Sequence, residues 1–246
     1  MKKKKLSLLR VVIIISMFSC VSVSTGSSCT KDEKSLEVLR SSWADEDLAF
    51  LDGRKEVGYF FENNILNYSI YQEGALLAVV RSDPFYQEEI DKANELVSRL
   101  NTYIDLKLNE VSSRRKADLV IIGVCEDDDT TGMVADNEFG DQYYLLLNGC
   151  NGVLDVGGGP VLLFLHELGH ALGLEHPFDD SDGDCLYSDK PWSRESADAS
   201  VTVMAYKSSK KPVGFFTDLD LATLQSIHGA AEDAPRNFVG FGDKKN

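Results

Sequence analysis

The sequence predicts a mixed α+β fold, a sheet with helices packed on it. Three observations carry that expectation. Ala117–Gly123 is a continuous apolar run, typical of a central strand covered on both faces. Tyr86, Ile90, Ala93, Val97 and Leu100 recur at helical spacing. Val161, Leu165, Leu168 and Leu172 repeat the pattern as a second core-facing stripe.

Taken in order, Ile65–Tyr71 reads as a first strand from its β-branched and aromatic content. Asp83 then caps a helix with Pro84 at its first position, running to about Asn101. Tyr103–Leu108 is a second strand and Ala117–Gly123 the central one. After an acidic loop, Glu126–Asp129, come a short edge strand at Met133–Ala135 and a buried strand at Tyr143–Asn148. Gly157–Gly159 lead into Pro160, a favoured first helical residue, and the second helix follows. A last helix is capped by Thr217 with Asp220 at its third position, and Gly229 ends it. No internal repeat is visible.

The 246 residues, 43% of them hydrophobic, suffice for one good core. The net charge is −15. The five positive residues among the first 28 are Lys2–Lys5 and Arg10, and without them 20 basic residues face 40 acidic ones, a balance of −20. Such a surface repels nucleic acid and anionic membranes. Residues 1–28 read as an export signal: a basic start, an apolar run from Val11 to Phe18, then small polar residues. The run is too short and too diluted by serine to span a bilayer. Cys29, in Ser27-Ser28-Cys29-Thr30, is a candidate for lipidation, with simple cleavage and release as the alternative. The exported chain is therefore read as secreted, or as a periplasmic or cell-surface lipoprotein. Residues 29–54 read as a tether or short pro-segment, 55–230 as the folded domain and 231–246 as a polar tail. Cysteines in an exported chain invite disulfides. Cys125 and Cys150 each close a strand-like run, and on parallel neighbouring strands they would meet.

The chemistry concentrates in His166-Glu167-Leu168-Gly169-His170-Ala171-Leu172-Gly173-Leu174-Glu175-His176, which holds three of the four histidines. It matches the pattern H-E-x-x-H-x-x-G-x-x-H. Positions i and i+4 share a helix face, so His166 and His170 can address one ion. Glu167 is turned aside from that point and can reach a water instead. Gly173 permits a sharp or left-handed turn that ends the helix, and His176 returns as a third nitrogen. Three protein ligands and an open position are the arrangement of a catalytic Zn2+ rather than of a closed structural site. The alternative, a buried helix whose histidines merely find hydrogen-bond partners, does not account for that spacing. Further on, Asp180, Asp182 and Asp184 alternate as in a Ca2+ loop, but no glutamate closes it, and a solvated acidic loop is the alternative.

These residues resemble the metzincins, and within them the serralysin and matrixin zinc endopeptidases. The eleven-residue segment, Met204 downstream, Tyr206 two residues on, and Pro177 directly after His176 carry the resemblance. It implies a zincin-type catalytic domain: a twisted, mostly parallel five-stranded sheet with an antiparallel edge strand, a long active-site helix, a Met-turn and a C-terminal helix. It implies that Met204 floors the three histidines and that Tyr206 is a switchable fifth ligand which also steadies the oxyanion. Extended substrate would pair with the strand near Met133–Ala135. The calcium-repeat domain of serralysins and the cysteine switch of matrixins have no counterpart here. Phe50–Gly53 resembles the astacin aspartate switch only with Asp and Gly in another order.

The expected function is thus a monomeric zinc endopeptidase acting on protein or peptide substrates. Glu167 would serve as the base for a water whose pKa zinc lowers toward about 7. Two alternatives stay open: an inactive zinc-bearing module that binds peptides, and a zinc hydrolase of a non-peptide amide or a narrow exopeptidase.

Overall fold

The structure is a computed structural model, and it describes residues 36–44, 53–72, 74–125, 132–149, 159–179, 197–207 and 209–235. Seven strands form one sheet: β1 (Glu56–Phe61), β2 (Asn67–Gln72), β3 (Ala75–Asp83), β4 (Lys107–Glu110), β5 (Leu119–Val124), β6 (Gly132–Asp136) and β7 (Tyr143–Asn148). The helices are α1 (Gln87–Leu100), α2 (Gly159–Ala171) and α3 (Asp218–His228). The strand order is β3-β2-β6-β7-β5-β1-β4, with a further pairing of β3 to β5.

That last pairing corrects the expected fold. A mostly parallel five-stranded sheet with one antiparallel edge is not what forms. The β1–β4, β1–β5 and β5–β7 pairings are parallel, but β2–β3, β2–β6, β3–β5 and β6–β7 are antiparallel. Strands β3, β2, β6, β7 and β5 close a circuit of five, barrel-like, from which β1 and β4 extend. The helix bearing the histidines has 13 residues and is shorter than α1, which has 14. A metzincin-like sheet with one long helix is therefore not the architecture.

The physical reason lies in two strands, β3 and β1, that the sequence does not announce. β3 is half exposed along its length, so its residues show no alternation of apolar and polar. β1 alternates, but it sits in a charged neighbourhood between Lys55 and Glu62. The β2–β3 hairpin lays Tyr68 and Ile70 over Val120, Ile122, Val124, Tyr144 and Leu146. The alternate residues Leu119, Ile121, Leu145 and Leu147 face the helices in the main core. Both faces of β5 are thus covered, which is why its six residues are all buried and all apolar or glycine.

Boundaries shift for similar reasons. Asp83 is committed to the sheet opposite Gly123, so α1 starts only at Gln87, with the Glu89 carboxylate accepting the Tyr86 N–H at 2.7 Å. Residues 36–44 fall within the stretch read as tether or pro-segment, yet Val38, Leu39 and Ala44 are buried in the main core. Among the described residues no helix is long and apolar enough to cross a membrane. The expected export signal (1–28) and Cys29 lie outside the described residues, as do Cys150, Asp180, Asp182, Asp184 and residues 236–246 of the polar tail.

Candidate metal centre

Helix α2 is anchored by Phe164, Leu165 and Leu168, each at most 1% exposed. That burial fixes its rotation and presents His166 and His170 together, one turn apart. Their ring centroids are 4.8 Å apart and nearly perpendicular. Gly173 ends the helix with φ +92°, a backbone that a side chain rarely tolerates. A Cβ there would also lie 3.0 Å from that of Ala44. The chain then turns back through Leu174 and brings in His176.

The Nε2 atoms of His166 and His170 each lie 3.2 Å from Nε2 of His176. The three ligand atoms lie within 4.8 Å of one another. Nδ1 of His166 donates to the Val203 carbonyl and Nδ1 of His170 to that of Leu174, both at 2.8 Å. A neutral imidazole carries one proton, so both Nε2 atoms present lone pairs. His176 Nε2 holds at most one proton and cannot make a good bond to each. A shared cation would resolve the crowding. Tetrahedral ligands about 2.05 Å from zinc stand roughly 3.3 Å apart, close to the 3.2 Å that separates His176 Nε2 from each of the other two.

Electrostatics agree. Burial, reinforced by the neighbouring ring of His166, brings the pKa of His170 down to about 3. Burial and then the other two rings bring His176 down to about 2. Burial also lowers His166. All three stay neutral at physiological pH, as metal ligands must. Glu167 is 5% exposed, and burial lifts it to about 8.

The surroundings hold this cluster in several ways. Met204 is fully buried, and its Sδ would lie 2.6 Å from a Cβ on Gly169, so the sulfur rests on bare helix backbone between the two ligands. Asp220, wholly buried, accepts from Thr202 Oγ1 at 2.5 Å, Val203 N at 3.0 Å and Thr217 N and Oγ1, both at 2.8 Å. Burial raises its pKa against those four bonds. It clamps the N–H of Val203, the residue whose carbonyl orients His166. His228 Nε2, with its pKa lowered chiefly by burial, donates to Leu172 O at 2.9 Å and satisfies the end of α2.

The turn bearing His176 is held from another quarter. Ser41 N and Oγ both donate to Gly173 O, at 3.1 and 2.9 Å, and Glu175 N donates to Leu39 O at 3.0 Å. The ring of Phe178 lies 4.9 Å from that of His176, only 7° from parallel. Tyr206 is half exposed, its ring centroid 4.6 Å from His176 and 5.8 Å from His166.

The structure thus gathers His166, Glu167, His170, Gly173, His176, Met204 and Tyr206 into one site. Cys125 lies apart, at the end of β5, and is disulfide-bonded. Sequence reading missed the carbonyls of Val203 and Leu174, the buttress of residues 39–41, Phe178 and His228. Backbone carbonyls carry no sequence signal. Phe178, two residues beyond the third histidine, was the one legible hint.

No protein-family model matches the chain, and a search of curated proteins finds no match. Among solved structures, the GM1-bound form of the ECX AB5 holotoxin aligns at 12% identity over 52% of this chain, with a TM-score of 0.31. The aligned part is 55% of that chain, about half its length. So slight a likeness assigns neither fold nor activity.

Proposed function

We propose that the chain is an exported, zinc-dependent endopeptidase that hydrolyses peptide bonds in protein substrates. The convergence of three neutral imidazoles, two with Nδ1 fixed on carbonyls so that their lone pairs meet, supports this reading most directly. Zinc held by His166, His170 and His176 would supply Lewis acidity and a water acidified toward neutrality. Glu167 would serve as the general base, accepting a proton from the attacking water and passing it to the leaving amine. Its burial gives it the proton affinity for this near neutral pH, before the charge of a cation draws its pKa down. Tyr206, at the mouth of the site, donates its phenol to the developing oxyanion.

The peptide substrate lies extended along β6. Among the described residues no strand pairs with the outer edge of β6 from Gly132 to Ala135, and β2 meets β6 only at Tyr71 and Asp136. Such an edge accepts an extended chain by backbone hydrogen bonds. Export rests on the basic and apolar start of the sequence, with release or lipidation at Cys29 as its two forms.

Digestion of casein and of a quenched peptide library, with and without chelator, tests the reading. Cleavage within the chain that stops on metal removal is expected. Glu167→Gln should keep its zinc and lose turnover. Wild-type turnover in that variant would remove the assigned base.

A further inference from the structure

Glu167 sits one residue past His166 and points away from the ligand face, toward β6. There it meets Gly132. A Cβ built on Gly132 would lie 2.4 Å from Glu167 Oε1 and 2.6 Å from both Cδ and Cγ. Contacts this short do not occur between real atoms, so Cγ, Cδ and Oε1 of the glutamate lie where a methyl group would be. The carboxylate therefore rests on bare strand backbone. Gly132 has no left-handed φ, so alanine fits its backbone, and strand geometry does not require glycine here.

We propose that Gly132 is a positioning residue for the general base: the missing side chain at this point of β6 is the seat that aims the Glu167 carboxylate. This rests on the hydrolase reading given above. The strand that offers its edge to substrate would then also set the base, so the peptide and the proton acceptor are registered to the same backbone. The neighbouring residue Met133 cannot substitute for this seat, because successive strand residues point to opposite faces.

The consequence is unusual for a glycine packed this closely. The atoms a methyl group would strike belong to the mobile end of a side chain, not to backbone. Gly132→Ala should therefore fold and leave the three histidines where they are, while Glu167 swings to another rotamer. The cost falls on the base.

The test uses the full chain in three variants: Gly132→Ala, Glu167→Gln and the double variant. Expected for Gly132→Ala are one zinc per chain, an unchanged visible spectrum of the Co2+-substituted protein, and kcat lower by about 100- to 1000-fold with KM within twofold. The double variant should be no slower than Glu167→Gln alone, because both changes remove one function. A crystal structure of Gly132→Ala should show the Glu167 carboxylate moved off β6. A rise in KM with kcat unchanged would assign Gly132 to substrate docking and overturn the proposal, as would additive losses in the double variant. An unmoved carboxylate in the Gly132→Ala structure overturns it independently of any activity. A wild-type protein that binds zinc but cleaves no peptide bond would instead defeat the hydrolase reading, leaving the seat of Glu167 to be judged by the structure.

Discussion

His166 and His170 are held differently from His176. The first two stand on a helix buried through Phe164, Leu165 and Leu168, and each has its second nitrogen bonded to a backbone carbonyl at 2.8 Å. The third stands on a turn beyond Gly173, which residues 39–41 brace from outside, and its ring is steadied by the flat face of Phe178. A rigid pair and a braced third ligand divide the work: the helix sets the direction of approach, and the turn completes the site. Outer partners that fix ligand rings typically change metal affinity 10- to 100-fold, so the two halves can be separated by measurement.

The largest effect should come from the rigid half. His170→Ala should abolish stoichiometric zinc binding, and His176→Ala should weaken it by more than the ~100-fold that outer partners are worth, both read by competition with a chromophoric chelator. Equal, small losses would erase the distinction.

Next is the response to acid. The folded pKa values of His166, His170, His176 and His228 all lie below the ordinary value, chiefly through burial. The unfolded chain, with histidines near 6.5, therefore takes up protons first. The histidine contribution to the stability of the metal-free protein should be full above about pH 6.5 and fall as pH drops below it, while Glu167, raised to about 8, adds an opposite contribution that is lost as pH rises toward 8. His170 and His176 alone would give a slope of two protons, about 1.4 kcal/mol per pH unit for each, from which the raised Glu167 subtracts one. Denaturant titrations between pH 5 and 8 check this, and stability that is flat below about pH 6.5 would contradict the burial of these rings.

Asp220→Ala probes the clamp behind His166. It strips partners from Thr202, Val203 and Thr217, so stability should fall by roughly 3 kcal/mol, with zinc affinity down about 10-fold. Phe178→Leu probes the braced half more gently. It keeps apolar bulk but removes the stacked face, worth about 0.5–1.5 kcal/mol. Zinc affinity should drop about 2- to 10-fold with little change in the unfolding midpoint. A loss confined to stability would show that Phe178 merely fills space.

How much of this was legible follows the same division. The helix half is written in residue types: the spacing of the histidines, the apolar stripe of α2 and the position of Glu167 are all local, and α2 places these side chains accordingly. The Thr217–Asp220 cap was readable too, although its second role, holding the Val203 peptide, was not. The braced half depends on residues 39–41 meeting residues 173–175 across the fold, and nothing in a charged segment near Trp43 announces that contact. The sheet was least legible. β3 lacked alternation because it is half exposed, and the closure of β3 onto the end of β5 at Ser82–Val124 and Asp83–Gly123 is a tertiary event with no local signature. Gly132 lies one residue before the strand expected at Met133–Ala135 and is not singled out by the sequence, because what matters there is the atom that is missing.

The account stands on a shared cation between three imidazoles. Metal analysis of the folded, dialysed full chain, followed by titration with Zn2+ or Co2+, tests it most directly. One ion per chain, with a Co2+ spectrum of low, tetrahedral-like coordination that disappears in His170→Ala, is the predicted result. A folded protein that retains no stoichiometric transition metal and takes up none would contradict it.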